Sequence, residues 1–367
     1  MRHINYHILF RLPLFICSLL AELSASLQVH AEELKSFISQ YNISYITMRE
    51  GLPHNFVDCV YKDSRGFLWI AMQGGGLARY DGYEFLTFDN SPFRQLKSKF
   101  IRCVCEDRSG RLWVVSEGGT DLIDLHTLQT SDFLLRHEQT RRLVRQPASF
   151  VTTDATGCVW LQSGNSLHRI KTDSKGNVTS VRSLQLTDRK STDAVCKDLD
   201  GDGRGWAAVG NRICRIGPDA AGVLRATPIA SGPDLPEGTL VADLISKENE
   251  VWIATNRGIY RYNRNNHSVK HYAHDVHTST SLSQDFTTCL AVTEQKQLIV
   301  ASLCGLNVYN PIGDNFERVN TDCRYPFAQQ QLCQLPAHGR AAPVGRNGER
   351  RAQQAHRQTS LREQLHT

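Results

Sequence analysis

Three acidic residues at alternate positions, Asp198, Asp200 and Asp202 in D-L-D-G-D-G, have the spacing that converges carboxylates on a hard cation such as calcium. The twelfth position of such a loop is Val209 rather than a bidentate glutamate, and the segment sits where a turn is needed before Trp206, so an acidic turn is the competing reading. A second acidic set, Asp63, Asp107 and Asp154, recurs in D-x-x-G-x-x-W with Gly66, Gly110 and Gly157. Hydrolytic chemistry would need two carboxyl groups facing one bond. Carboxyls at equivalent turns of a repeated unit are instead held apart. Gly74-Gly75-Gly76 opens a strand and not a helix, which is wrong for a phosphate loop. The fourteen histidines form no H-E-x-x-H, and the eleven cysteines form no C-x-x-C, so no zinc site is expected. No catalytic residue and no cofactor are assigned.

The elements that carry these residues follow from a repeat. Trp69, Trp113, Trp160, Trp206 and Trp252 are spaced 44, 47, 46 and 46 residues apart, and Ile299 continues the series. Around each lies an apolar run, a Gly- or Asn-bearing turn and an alternating strand, as in FLWIAMQGGGLARYD and EVWIATNRGIYRYN. Ten residues before each anchor is a second column, Cys59, Cys103, Phe150, Cys196, Ala242 and Cys289, in a preceding strand. A fourth strand often follows, such as YEFLTFD or HSVKHYAH. Four antiparallel strands per unit of this length give an all-β fold, a β-propeller of four-stranded blades. Six blades are readable of an expected seven, which leaves an incomplete ring. The five tryptophans could stack on a sugar, but their regular place in an apolar strand makes them blade-core anchors. Most cysteines read as small core residues; Cys103/Cys105 and Cys196/Cys214 are the pairs open to oxidation.

Composition sets the class and the compartment. Of 367 residues, 40% are hydrophobic and 22% charged, a globular balance. The net charge of +5 resides in the tail, because seven Arg and two Glu fall after Cys323 while the remainder is balanced at 35 basic and 35 acidic residues. A nucleic-acid partner is therefore not expected. Residues 1–31 read as a secretory signal, with Arg2 and Arg11 flanking, Leu12 to Leu20 apolar and Val29-His30-Ala31 before the cut. No membrane span is expected beyond it, and the product is expected in the periplasm.

The run from Gly51 to Asn90 resembles the two-component regulator propeller repeat: G-L-P before the first strand, D-x-x-G-x-x-W, then W-I-x-[TS]-x-x-G-L-x-[RK]-Y-[DN]. Trp252 to Asn263 matches nearly as well, and the resemblance spans residues 41–321 as one propeller domain. It implies the exported sensor portion of a hybrid two-component system controlling polysaccharide utilisation, with an oligosaccharide ligand and self-association in the intact relative. No kinase, receiver or DNA-binding motif is recognisable in this chain. The D-x-x-G-x-x-W turns are also similar to the Asp-box hairpins of sialidase propellers, which keeps a glycosidase as the enzymatic rival. A free-standing exported propeller that binds protein or carbohydrate is the other.

Residues 324–367 break the pattern. They are lysine-free and rich in Gln, Arg and Ala, as a disordered tail would be. Read from the second base of each codon, however, Gln329 to Pro336 can encode N-S-N-F-V-N-C-L, and Pro343 to Ala355 can encode L-W-V-G-T-E-S-G-G-L-N-K-L. The tryptophan of that latent blade falls at position 344, in phase with the repeat. The expectation is a frameshift between about Asn320 and Ala328 that truncates the sensor. Sequence does not identify the ligand, the binding face or the oligomeric state.

Overall fold

The computed structural model describes residues 46–319, apart from 89–93, 165, 174–175, 187–204, 210–211, 230–231, 233–234 and 294. Within that span apolar runs separated by Asp-Gly and Asn-Gly turns form six antiparallel sheets in chain order, a six-bladed β-propeller arrangement. Blade 1 holds β1 (Val57–Lys62), β2 (Leu68–Met72), β3 (Gly76–Tyr80) and β4 (Phe85–Phe88). Blade 2 holds β5 (Ile101–Glu106), β6 (Arg111–Ser116) and β7 (Gly119–Asp124). Blade 3 holds β8 (Ala148–Thr153), β9 (Val159–Ser163), β10 (Ser166–Thr172) and β11 (Val178–Gln185). Blade 4 shows β12 (Gly205–Val209), β13 (Arg212–Pro218) and β14 (Leu224–Pro228). Blade 5 holds β15 (Val241–Lys247), β16 (Glu250–Thr255), β17 (Gly258–Asn263) and β18 (Val269–Tyr272). Blade 6 holds β19 (Thr287–Val292), β20 (Leu298–Ser302), β21 (Gly305–Asn310) and β22 (Asn315–Val319).

Each sheet is a meander, so its first strand lies at one edge, and first strands of successive blades, β1 with β5, β5 with β8 and β15 with β19, run side by side. A blade set between two others therefore has both faces packed. The side bearing Trp69, Trp113, Trp160 and Trp252, all 0% exposed, presses on the blade that follows, while Val104, Leu112 and Val114 of blade 2 press back on blade 1. This double coverage makes the strands read as nearly continuous apolar runs. The outward faces of blades 1 and 6 are less covered: Val60 and Leu68 are half-buried where Val104 and Leu112 are buried, and Ile299 is half-buried where Trp252 is buried.

Blade 2 departs from the four-strand expectation. After β7 a single bridge, Ile123 to Thr130, continues the sheet. The chain then turns into short 3-10 segments and one short α-helix, α1 (Glu138–Arg141). The stretch SDFLLRHEQTRRLVRQP lacks period-2 alternation and buries Leu134, Thr140 and Val144 as isolated anchors instead. Among the described residues no helix is long and apolar enough to cross a membrane.

Candidate functional site

The repeated aspartates sit in the turns between first and second strands, and each is spent on its own hairpin. Asp63 Oδ1 accepts from the backbone N of Arg65 and Phe67 at 3.0 and 2.9 Å, while Oδ2 accepts from Trp69 Nε1 at 2.9 Å. Asp107 and Asp154 repeat the bond to Trp113 and Trp160 at 2.9 Å. All three carboxylates are buried, and Gly66, Gly110 and Gly157 supply the positive φ at the turn. A buried indole N–H needs an acceptor, and this one lies six residues upstream in every case.

A cation completes the arrangement. Arg169 donates through Nε to Asp154 at 3.0 Å and lies over the Trp160 ring. Arg215 and Arg261, at the same strand position, lie over Trp206 and Trp252. In blade 2 that position is Leu122, and Arg111 supplies the guanidinium instead, 2.9 Å from Asp107. Burial would raise the Asp154 carboxyl, but bonds from Thr156, Trp160, Cys158 N and Arg169 outweigh it and hold the group below its ordinary range. Such a carboxylate is a locked structural anion, not a proton donor.

Blade 5 makes the same bond by another route: Trp252 Nε1 donates to Glu250 Oε2 at 3.1 Å. Its hairpin is closed by two residues, Glu248 and Asn249, with Glu248 at φ 54. That shortening shifts the column that precedes the tryptophan. Asp243, and not Ala242, occupies the place of Cys59 and Cys103, since Asp243 pairs with Ala254 as Cys59 pairs with Ala71. These side chains are more than filler, because they reach the next blade's first strand. Cys59 Sγ accepts from Val104 N at 3.4 Å, Cys103 Sγ donates to Val151 O at 3.4 Å, and Asp243 Oδ2 accepts from Leu290 N at 2.9 Å. Cys59, Cys103, Cys105, Cys158, Cys214 and Cys289 are buried thiols, and burial pushes the Cys105 thiol up to about 12. Cys304 is disulfide-bonded.

The opposite face carries the turns between second and third strands and the loops that lead into each first strand. Ser116, Thr255 and Ser302 hydroxyls donate to the carbonyls of Gly119, Gly258 and Gly305 at 2.9, 2.8 and 3.1 Å, the role of [TS] and Gly in the repeat. Gly258 has φ 95, and a Cβ there would lie 2.1 Å from Tyr272 O. Entering loops are anchored by Leu52, Leu235 and Leu282, all buried, and by backbone bonds from Gln73, Glu117, Asn256 and Leu303 N to the carbonyls of Phe56, Phe100, Leu240 and Phe286. One residue further on comes the first strand, and in five blades its pairing slips, leaving Asp58, Arg102, Ser149, Ala242 and Thr288 as bulged residues. A bulge at this place re-aims a side chain.

On blades 1 and 2 the bulged residues form a polar chain. Asp58 accepts from Gln73 Nε2 at 2.7 Å and from Arg102 NH1 at 3.2 Å, and Arg102 NH2 donates to Glu117 Oε1 at 2.6 Å. Burial raises the Asp58 carboxyl, against the lowering by Gln73 and Arg102. At the residue before each first strand, the side chains of Phe56, Phe100, Leu240 and Phe286 stand 41, 48, 58 and 41% exposed. Sequence reading missed this set, because a phenylalanine beside a strand reads as core; the available signal was its fixed place four residues after a loop leucine, as in Leu52–Phe56, Leu96–Phe100 and Leu282–Phe286.

Asp198, Asp200 and Asp202 lie outside the described residues, as do Cys196, residues 1–31 and residues 324–367. Among the described residues no group of three or more His, Cys, Asp or Glu could hold a metal ion.

Residues 51–74 and 95–118, the first hairpin of blade 1 and of blade 2, each with its entering loop, match the family described as two component regulator propeller. The chain carries two component regulator propeller repeats. Comparison with curated proteins gives no match. Among solved structures, the propeller is similar to the extracellular domain assigned to a hybrid two component system of B. thetaiotaomicron, at 17% identity and a TM-score of 0.57, over 80% of this chain and 38% of that one. A second, from the extracellular domain assigned to a one component system of the same organism, has 18% identity and a TM-score of 0.54, over 73% of this chain and 34% of that one. The chain thus spans well under half of either domain. Virginiamycin B lyase from Staphylococcus aureus shares the fold at 12% identity and a TM-score of 0.53, over 77% of this chain and 89% of that one.

Proposed function

We propose that this chain is a ligand-detecting propeller from the exported sensor region of a hybrid two-component system, acting by binding and not by catalysis. The observation that carries this reading is the use made of the recurring carboxylates: Asp63, Asp107, Asp154 and Glu250 are each committed to a tryptophan N–H in their own hairpin. An acid/base pair for glycoside cleavage would have to be free to face one substrate bond. The regulator repeats and the fold shared with extracellular sensor domains support the same assignment. By the family resemblance the ligand is an oligosaccharide released from a polysaccharide, and the signal is a shift between conformations of paired sensors. Residues 1–31 export the chain to the periplasm, and residues 324–367 are the product of a frameshift within a seventh blade.

Calorimetric titration of the full chain with a panel of plant and host oligosaccharides, run beside a turnover assay on chromogenic glycosides and on a cyclic depsipeptide, tests the reading. Saturable binding without turnover is the expected result. Turnover of either substrate would replace the sensor by a propeller hydrolase or lyase, the second being kept in view by the shared lyase fold. N-terminal sequencing of the exported product is expected to start at Glu32. Resequencing the gene from the codon for Asn310 is expected to recover blade motifs in the shifted frame.

A further inference from the structure

The repeat places an arginine opposite the blade tryptophan, Arg79 facing Trp69 in blade 1 and Arg261 facing Trp252 in blade 5. At the junction of blades 5 and 6 the following blade neutralises that cation. Asp314, in the turn just past β21, accepts from Arg261 NH1 at 3.0 Å, from Tyr309 OH at 2.6 Å, and from Tyr272 OH and Lys270 Nζ. The matching turn residue of blade 2, past β7, is Leu128. The two share a left-handed backbone, with φ 58 at Leu128 and φ 48 at Asp314. The junction of blades 1 and 2 therefore has the arginine without the carboxylate.

It gathers two further cations instead. Arg79 and Arg65 lie over the same ring, 4.2 and 5.8 Å from the Phe67 centroid, and Arg94 lies over Phe88, which packs on Trp69. Arg65 also donates to Leu125 O, in the turn that carries Leu128. Among the described residues none of the three arginines forms an ion pair, and Arg79 Nε is buried without an acceptor. The neighbouring carboxylates are committed elsewhere, Asp63 to Trp69 and its own turn, Asp81 to Tyr83 and Glu84 N. Burial and the Arg65 charge hold the Arg79 guanidinium below its usual range. Burial acts on Arg261 too, yet Tyr272, Tyr309, Glu250 and Asp314 raise it. Arg65 is exposed, and Arg79 and Arg94 are half-buried, so a solute can reach all three. Guanidinium forks match sulfate and carboxylate geometry, and one such group accepts from several N–H donors at once, as Asp314 does across the molecule. We propose that Arg65, Arg79 and Arg94 form a site for a single oxyanion, sulfate or carboxylate, in the place that Asp314 fills between blades 5 and 6.

Equilibrium dialysis of the full chain against about 0.1 to about 10 mM sulfate, at fixed ionic strength, tests it. Saturable binding of a single sulfate per chain is expected. Arg79→Gln should weaken it at least ~10-fold. Leu128→Asp, which restores the missing carboxylate at a φ that aspartate tolerates, should weaken it as much, while the near-isosteric Leu128→Asn should keep it. The far-UV spectrum reports folding, and Arg94→Gln serves in place of an arginine variant that unfolds. A sulfated or glucuronate-bearing disaccharide that displaces sulfate, where its neutral parent does not, identifies an acidic sugar as the source of the group. Displacement by inorganic phosphate alone identifies a free ion. Sulfate binding tests the site irrespective of the sensor reading, and the sugars test the two together. A chain that binds no sulfate saturably overturns the proposal. So does sulfate binding that survives Arg79→Gln and Leu128→Asp alike.

Discussion

The two faces of the blade array use their recurring residues in opposite ways. On one, the turns are built from Asp, Gly and Asn whose polar atoms point inward. Asp63, Asp107, Asp154, Asp173 and Asp219 each accept from the backbone of their own turn, and three of them also hold a tryptophan. On the other, the entering loops bury a leucine, bond their backbone, and then leave a phenylalanine or leucine half in water. The first face spends its chemistry on folding. The second keeps apolar surface and a chain of bulged polar residues available. A carboxylate that recurs with the repeat is thus weaker evidence for chemistry than an exposed apolar residue that recurs with it.

The largest expected effect lies on the folding face. Asp107→Ala removes the acceptor of Trp113 Nε1 and leaves the Arg111 guanidinium, buried beside it, without its anion. A loss of about 4 kcal/mol is expected in urea unfolding, because a buried charge stripped of its partner keeps its desolvation cost. A loss near zero would show that the lock is decorative. Next comes acid. Burial depresses the His168 imidazole to about 4, from a usual value near 6.5. The folded state therefore binds fewer protons than the unfolded chain between those values. Its stability is held above pH 6.5 and falls as pH drops toward 4, by about 3 kcal/mol at most. A urea-midpoint series in pH should show that slope, and His168→Gln should flatten it.

Smaller effects separate the inter-blade bonds from the exposed face. Asp243→Ala leaves Leu290 N without its acceptor between blades 5 and 6 and should cost about 2 kcal/mol, whereas Asp243→Asn, which keeps an oxygen there, should cost much less. Phe100→Ser should change the unfolding midpoint by no more than about 0.5 kcal/mol, as expected of a surface position. A large loss there would move Phe100 from the exposed face into the core and erase the contrast between the two faces.

What was legible in the chain tracks what repeats in it. Trp69 to Trp252 recur at the blade period, so blade number, strand order and the burial of the indoles followed from spacing. The motif letters also acquired physical roles. The serine or threonine braces the turn, and the arginine covers the indole. The closing aspartate or asparagine caps the outer hairpin, as Asp81 Oδ1 does for Tyr83 and Glu84 N. The column before the tryptophan failed in blade 5 because a two-residue turn replaced a longer one, an insertion-deletion that fixed offsets do not see. Blade 2's missing strand was hidden for a similar reason: helical residues filled a slot that the period assigned to β structure. The exposed face was invisible because exposure at Phe56 or Phe286 is a tertiary property of loop position, while composition marks both as core.

Hydroxyl-radical footprinting of the full chain across a urea series tests the division between the faces most directly. Without urea Phe56, Phe100, Phe286 and Tyr83 should all be oxidised, and the buried tryptophans should not. Labelling of the tryptophans is predicted to appear only as the chain unfolds. Tryptophan oxidation well below the unfolding midpoint, or protection of the three phenylalanines in the folded chain, would contradict the account.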